Sequence, residues 1–544
     1  MPCEAVYGIL SYIHNFIWSR FRSWFCLLVL LFLVIVIICD YIYQPQTIKG
    51  IYSIPGELPI IGHLHLSLRN PAKVYMNWAE RYNKSVFQIR LGERRVVVVN
   101  SYDDVVDIWM NRSCQNNSRP LSYTFHGLVG SYQSFTVGST PQSTTYKRKK
   151  RAVSQQLNTK SISSHNLAIS EEIEFVLGKL VNEATNTDVD LAKYLKYFAL
   201  RCSVFLTYGL YLDCFGRDDV LCNEIISNES EIIKLRSPIS NLQDSIPLLR
   251  FFPMFTNAHK AVDCRYRRER YMNELYTRFK NEVRKGNNES IDSFIGQLLV
   301  ESSDKLLSEA EIYSICLTYI SAGLDNTPLN LNYLLGMLSQ PKVGQLYQSK
   351  AINEILSNAD GDVARAWEQS NESDLRNVYV HALILETLRQ FTVLPLSLPR
   401  TTTKSFLYGD VEIPAGTHLF MNAYAANHDG NHFEYPLEFR PERWIDQNGQ
   451  INFTTKANQH FSFGAGSRMC SGYSFALKEM YIFMVKFLLL FEIHPPDFNL
   501  MITDPFHSNE VPHATSFEPR NHNIKLALLQ LPNHERLRDM LLKK

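Results

Sequence analysis

Read from its N-terminus, the chain first presents an uncharged run from Trp24 to Cys39 (WFCLLVLLFLVIVIIC), bounded by Arg22 and Asp40. Ser23, Tyr41 and Ile42 extend it towards the ~20 apolar residues that a helix needs to cross a bilayer core, and Trp18 and Trp24 suit the interface. No small-residue cleavage site follows, and the run is apolar on every face, so a cleaved signal and a buried core helix are both disfavoured. Residues 23–42 are predicted to form one transmembrane anchor after a short N-terminal segment, 1–22. Prolines and glycines crowd the next stretch, Ile54-Pro55-Gly56 to Pro59-Ile60-Ile61-Gly62, and 43–62 reads as a hinge. The stretch Val86–Val99 (VFQIRLGERRVVVV), broken at Gly92-Glu93, predicts a two-strand hairpin. Amphipathic helical periodicity then dominates, at 165–183, 262–284, 308–338, 343–357 and 376–391. Strand signals return near 404–422 and 523–530, and neither a repeat nor a linker divides 63–544. The expectation is a single, mostly α domain with small β-sheets behind one anchor.

Charge and cysteine usage narrow the function classes. Against 55 Lys+Arg stand 54 Asp+Glu, a net charge of +1, so the basic excess of a nucleic-acid binder is missing and no nucleic-acid partner is expected. Ten cysteines are scattered over 544 residues with no CxxC pair, which argues against a secreted disulfide framework and a thiolate zinc site. Arg20 and Arg22 precede the anchor, whereas Asp40 follows it with Lys49 beyond. Taken alone, the positive-inside rule would hold the N-terminus in the cytosol and export the domain.

The segment Phe461–Ala476 (FSFGAGSRMCSGYSFA) carries the chemistry. Phe463, Gly464, Gly466, Arg468, Cys470 and Gly472 precede an apolar helix starting near Tyr473. Glycines let such a loop turn tightly against a flat ligand. A cysteine at a helix N-terminus beside Arg468 is expected to have its thiolate stabilised by the helix dipole and the positive charge. A bare G-x-x-x-C is more often a turn with an inert cysteine; the ten-residue pattern is far more specific.

Here the chain resembles the cytochrome P-450 family of haem-thiolate monooxygenases, from about Ile51 to near Leu526. The resemblance implies the P-450 fold and haem b (iron protoporphyrin IX) as cofactor. It makes Cys470 the axial iron ligand, packs Phe463 near its sulfur, and pairs Arg468 and Arg400 with haem propionates. Glu386-Thr387-Leu388-Arg389 sets opposite charges at i and i+3, but Glu535-Arg536-Leu537-Arg538 does the same. Position separates them: Glu386 lies before Pro441-Glu442-Arg443-Trp444, and Glu386, Arg389 and Arg443 are expected to form a buried structural ion network.

Two stretches depart from the family pattern. In Ala322-Gly323-Leu324-Asp325-Asn326-Thr327, Ala322 and Gly323 supply the small pair of an oxygen groove and Asp325 the acid, but Asn326 stands where a threonine is expected. Thr327 follows ~100° further round the helix. Either the Asn326 amide holds the relay water, the reading we favour, or a distortion before Pro328 brings Thr327 into the groove. In Tyr146-Lys147-Arg148-Lys149-Lys150-Arg151, Tyr146 and Lys150 replace a tryptophan and an arginine at the propionates. The remaining cations suit a solvated face that docks an acidic reductase.

A closer resemblance, to fungal phenylacetate hydroxylases, rests on the N-terminal half and implies ring hydroxylation of a small aromatic acid. Arg119 and His126 are then candidates for the substrate carboxylate, or else structural loop residues. Leu248–Phe255 (LLRFFPMF) is either a membrane-dipping surface or a core helix end. Anchored members of the family face the cytosol, on the endoplasmic reticulum, and receive electrons from NADPH through a partner flavoprotein reductase. That overrules the charge count, and sequons at Asn83, Asn111, Asn116, Asn228, Asn288, Asn371 and Asn452 report on it. The rival readings are an isomerase or dehydratase that uses no dioxygen, and a non-catalytic haem-binding sensor.

Overall fold

The computed structural model describes residues 45–495 and 516–520, apart from 68–69, 132–134, 184–190, 238, 303–306 and 453–458, together with isolated positions between Trp18 and Ile38. The expected anchor therefore lies for the most part outside the described residues, and the strand expected at 523–530 and the Glu535–Arg538 tail lie wholly outside them. Among the described residues no helix is long and apolar enough to cross a membrane.

Helices at Asn166–Glu183, Ala258–Arg284, Val343–Ser357 and Val378–Phe391 follow the apolar periodicity closely. Further helices span Thr144–Gln156, Leu191–Tyr208, Asp219–Leu235 and Tyr473–Leu490. The last is buried continuously from Leu477 to Leu490. A helix buried on all sides sits at the centre, and it packs against Asn166–Glu183, Val343–Ser357 and Val378–Phe391.

The hairpin forms from Val86–Leu91 and Arg94–Val99, turning at Gly92 with φ +59°. It grows into a five-stranded sheet in the order Tyr52–Ser53, Val86–Leu91, Arg94–Val99, His418–Met421, Arg400–Thr401. The proline-rich segment is thus partly docked, since Tyr52–Ser53 pairs in parallel with Phe87–Gln88. Two-stranded sheets pair Phe406–Tyr408 with Val411–Ile413 and Phe491–His494 with Ser516–Pro519. Cys214 and Cys222, both buried, are joined by a disulfide that ties the first turn of Asp219–Leu235 to the chain before it, a single bridge among the described residues.

The reading of 308–338 as one helix is corrected. Helix Glu309–Ala322 ends at Gly323, and Asn326–Leu338 begins after Asp325. Glycine is a poor helix former, and Asp and Asn favour ends over interiors. Pro328, which lacks a backbone N–H, falls in the first turn of the second helix, where that donor has no intrahelical partner to lose. The apolar period continues on both sides of the break, which is why periodicity alone hides it.

Candidate functional site

The loop before the central helix is shaped by its glycines. At Gly466, with φ +61°, a Cβ would lie 1.9 Å from the Trp109 carbonyl oxygen, so only glycine passes there. The Cys470 N–H donates to the Phe463 carbonyl at 3.0 Å, closing the loop. The Phe463 ring meets Tyr473 edge-on at 4.9 Å, and Gly472 caps the helix. Cys470 keeps accessible surface, yet burial raises its thiol pKa, opposed by the Gly472 N–H and the charge of Lys150. The sulfur thus keeps accessible surface in surroundings crowded enough to disfavour its thiolate. Lys150 is the cation that opposes burial at the sulfur.

Arg468 points elsewhere because its N–H groups have better partners. Its Nε donates to the Asn117 carbonyl at 2.6 Å, its Nη1 to that of Thr140 at 2.9 Å, and its guanidinium lies 3.4 Å from the Tyr146 ring centroid. Its Nη2 is buried with no partner. Arg400, buried, donates through Nη1 to Asn116 Oδ1 at 2.8 Å and through Nη2 to the Ala465 carbonyl. Arg119 donates through Nε to Gly138 at 2.9 Å and through Nη1 to Leu398 at 2.6 Å and Pro399 at 2.8 Å, all carbonyls. Lys150 Nζ donates to the Ser467 carbonyl. These cations depress one another: burial and Arg468 bring Arg400 to about 9, and burial brings Arg468 to about 10. Among the described residues no carboxylate pairs with Arg119, Arg400 or Arg468.

The basic run divides by the helix period. Tyr146 and Lys149 are buried, whereas Lys147, Arg148 and Arg151 are exposed. Lys149 Nζ donates to Thr140 Oγ1 at 2.7 Å and Ser314 Oγ at 2.8 Å, with burial drawing its pKa to about 8. Arg148 pairs with Glu311 at 2.7 Å.

At the helix break, Ala322 is exposed and Gly323 half-buried although the chain on both sides is packed. Asn326 Nδ2 donates to the Ala322 carbonyl at 2.8 Å. Asp325 is buried; its Oδ1 lies 3.4 Å from Ser230 Oγ and 3.9 Å from Lys196 Nζ, and its Oδ2 has no hydrogen-bond partner. Burial raises its pKa, with Lys196 opposing. The Thr327 hydroxyl turns away and donates to Glu479 Oε2 on the central helix at 3.2 Å. Burial pushes Glu479 up to about 8.

Glu386 and Arg389 are wholly buried and bonded at 2.9 and 2.8 Å. Arg443 Nε reaches Glu386 at 3.1 Å, Trp444 Nε1 at 2.9 Å and the Arg440 N–H at 2.8 Å. Arg389 Nη1 also donates to the Asn427 carbonyl, and Asn427 Oδ1 accepts from the Phe461 N–H, each at 2.8 Å. The ion network thereby reaches the base of the Cys470 loop.

His126, expected at the substrate, takes the Ser122 N–H on Nδ1 at 3.0 Å and directs Nε2 to the Ser139 carbonyl at 3.2 Å. Burial draws its pKa to about 4, which keeps it neutral. Sequence reasoning passed over Asn116, Lys149 and Glu479. Glu479 had a local signal, as one of three charges, with Lys478 and Lys486, in a helix that is otherwise apolar from Leu477 on.

The family model for cytochrome P450 matches residues 53–515. Phenylacetate 2-hydroxylase of Emericella nidulans is 36% identical over 478 residues, 87% of this chain and 89% of that protein. The 3-hydroxyphenylacetate 6-hydroxylase of Emericella nidulans is 32% identical over 495 residues, 91% and 92% of the two chains. A cytochrome P450 monooxygenase of Mycosarcoma maydis is 32% identical over 479 residues, 87% and 86%.

Proposed function

We propose, given that the chain belongs to the cytochrome P450 family and is one of its monooxygenases, that it hydroxylates the ring of a small aromatic acid such as phenylacetate. The observation that carries the reading is a reachable, desolvated thiol beside a group of cations without an anion. The orphaned Arg468 Nη2 and the mutual repulsion of Arg119, Arg400 and Arg468 fit a flat group bearing two carboxylates, as haem does. Two names among the relatives, both arylacetate hydroxylases, support the substrate class.

Cys470 would hold haem, which when bound would supply the iron chemistry of dioxygen activation. Arg119, Arg400, Arg468 and Lys150 receive the propionates, and Tyr146 steadies Arg468 through its ring face. Phe463 and Tyr473, packed edge-on, flank the loop that carries the sulfur. Ala322 and Gly323 are small enough to leave room for dioxygen, and Asn326, fixed to the Ala322 carbonyl through Nδ2, would present its remaining oxygen to a relay water. Asp325, its Oδ2 unpartnered and its Oδ1 beside Ser230 and Lys196, is the acid of the relay. Thr327 is committed to Glu479 and takes no part in the relay.

Electrons are supplied from NADPH by a flavoprotein reductase that docks near exposed Lys147 and Arg151. The anchor, 23–42, holds the enzyme on the endoplasmic reticulum with the domain in the cytosol. Its described positions, among them Trp24, Leu27, Leu31 and Ile38, are helical and exposed. Phe251, Met254 and Phe255, exposed by 80%, 78% and 76%, support contact with the same bilayer.

Reduced carbon monoxide spectra of the wild type and Cys470→Ala test the thiolate. Turnover of phenylacetate with reductase and oxygen tests the reaction; haem binding without oxygen consumption would favour an isomerase or a sensor instead. For orientation, Asn83, Asn111 and Asn288 are exposed sequons, whereas Asn116 and Asn228 are wholly buried. An endoglycosidase mobility shift traced to the exposed three would place the domain in the lumen.

A further inference from the structure

The segment 114–118 runs beside the edge strand Arg400–Thr401. Ser118 and Thr401 exchange backbone hydrogen bonds at 3.2 and 3.1 Å, and the Thr403 N–H donates to the Gln115 carbonyl at 2.6 Å. That register sets Asn116, which is wholly buried, opposite Arg400. Asn116 Oδ1 accepts from Arg400 Nη1 at 2.8 Å, and Asn116 Nδ2 donates to the Ile108 carbonyl in the turn Val106–Asn111. A guanidinium can only donate and a carbonyl can only accept, so these two neighbours fit an amide and not an ionised carboxylate.

From Asn116 the guanidinium of Arg400 reaches over to the cysteine loop. Its Nη2 donates to the Ala465 carbonyl, and its centre lies 5.6 Å from the Trp109 ring centroid. One cation thus links the Val106–Asn111 turn to the loop that carries Cys470, and among the described residues no carboxylate pairs with it. An ionised aspartate at 116 would supply that carboxylate and would also turn an oxygen against the Ile108 carbonyl. A hydrocarbon side chain would leave a buried guanidinium N–H without an acceptor, and no water replaces it where Asn116 has no accessible surface. The amide avoids both: it fixes the direction of the cation and leaves its charge in place.

We propose that Asn116 is a positioning residue for the cofactor, aiming Arg400 at a haem carboxylate and, being neutral, leaving the charge of Arg400 to that carboxylate. The assignment rests on the propionate role given to Arg400 under the proposed function and deepens it by naming the group that sets this cation in place.

The test measures two properties of the full-length haem-loaded protein: the rate of haem release to an apoglobin acceptor, and the midpoint potential of the iron. Asn116→Asp, nearly isosteric, is expected to speed release by about 10- to 100-fold, the worth of a charged hydrogen bond. It should also lower the midpoint, because a neutralised cation beside the haem favours the more positive, oxidised iron. Asn116→Ser stays neutral and is expected to speed release while leaving the midpoint where it is. Combined with Arg400→Gln, either substitution should add less than about twofold to release, since the partner it acts through is gone. Full effects in the Arg400→Gln background, or a midpoint that Asn116→Asp does not move, overturn the assignment while the role of Arg400 stands. An Arg400→Gln variant with wild-type release and midpoint overturns both. Should Asn116→Asp load no haem, Asn116→Ser and its double variant decide by the same comparison, and failure of both to load marks a structural role and overturns the assignment.

Discussion

Replacing Glu386 by alanine removes the acceptor of five hydrogen bonds, from Arg389 Nε and Nη2, Arg443 Nε, Trp444 Nε1 and the Arg440 N–H. Glu386 and Arg389 have no accessible surface, so water cannot replace what is lost. Arg389 keeps the Asn427, Pro436 and Glu438 carbonyls, but none carries a full charge. Breaking a buried pair from one side costs about 3–5 kcal/mol. Glu386→Gln keeps the volume and one acceptor oxygen, and is expected to recover part of that loss. The comparison is Glu442→Gln, whose Lys350 pair is 42% and 48% exposed and should contribute less than about 1 kcal/mol. Urea midpoints of the haem-loaded protein measure the difference. Because Asn427 couples the network to the Phe461 N–H, the alanine variant should also release haem, read from the reduced carbon monoxide spectrum. A loss for Glu386→Ala no larger than that for Glu442→Gln would refute the reasoning.

Asn326→Ala is expected to raise peroxide released per NADPH several-fold, and Asn326→Thr to preserve coupling. Thr327→Val should cost about 1 kcal/mol of stability without uncoupling; the reverse pattern would return the relay to Thr327. Gly466→Ala should abolish haem incorporation because its Cβ meets a carbonyl at 1.9 Å, whereas at Gly464 the nearest atom is 3.8 Å away and only the φ of +71° opposes a side chain. Haem content of the two variants separates steric exclusion from backbone strain. Glu479 has a folded pKa of about 8 against an ordinary 4.5, so its unfolded form gives up the proton first. Its contribution is intact below pH ~4.5 and is lost as pH rises through about 8. Glu479→Gln should flatten the fall in stability across that window, and an unchanged pH profile would argue against a neutral buried acid.

Helices that bury one face could be read directly, because an apolar residue every third or fourth position leaves few other solutions. The Cys470 loop was legible for another reason: its glycines, cysteine and arginine lie within ten residues and act locally. What escaped depends on distant partners. Thr327 meets Glu479 across 152 residues, and Lys149 meets Ser314 across 165. Nothing near Arg400 in the chain announces that Asn116, far from it in sequence, accepts from it. The break at Gly323 was half visible, since Gly, Asp-Asn and Pro each disfavour a helix interior, but the apolar period carries through.

The net charge of +1 conceals how unevenly the cations are spread. Arg119, Arg400, Arg468 and Lys150 converge from four separate stretches of chain without a described carboxylate among them. Guanidinium groups brought that close would repel one another unless something held them. Backbone carbonyls do: three for Arg119, two for Arg468, and one each for Arg400 and Lys150. Carbonyl dipoles offset part of the charge and fix direction without neutralising it, whereas aspartates would have filled the role an incoming anion is needed for. The cost of assembling the positive field is thus met during folding, and a ligand bearing two carboxylates enters a site that need not reorganise.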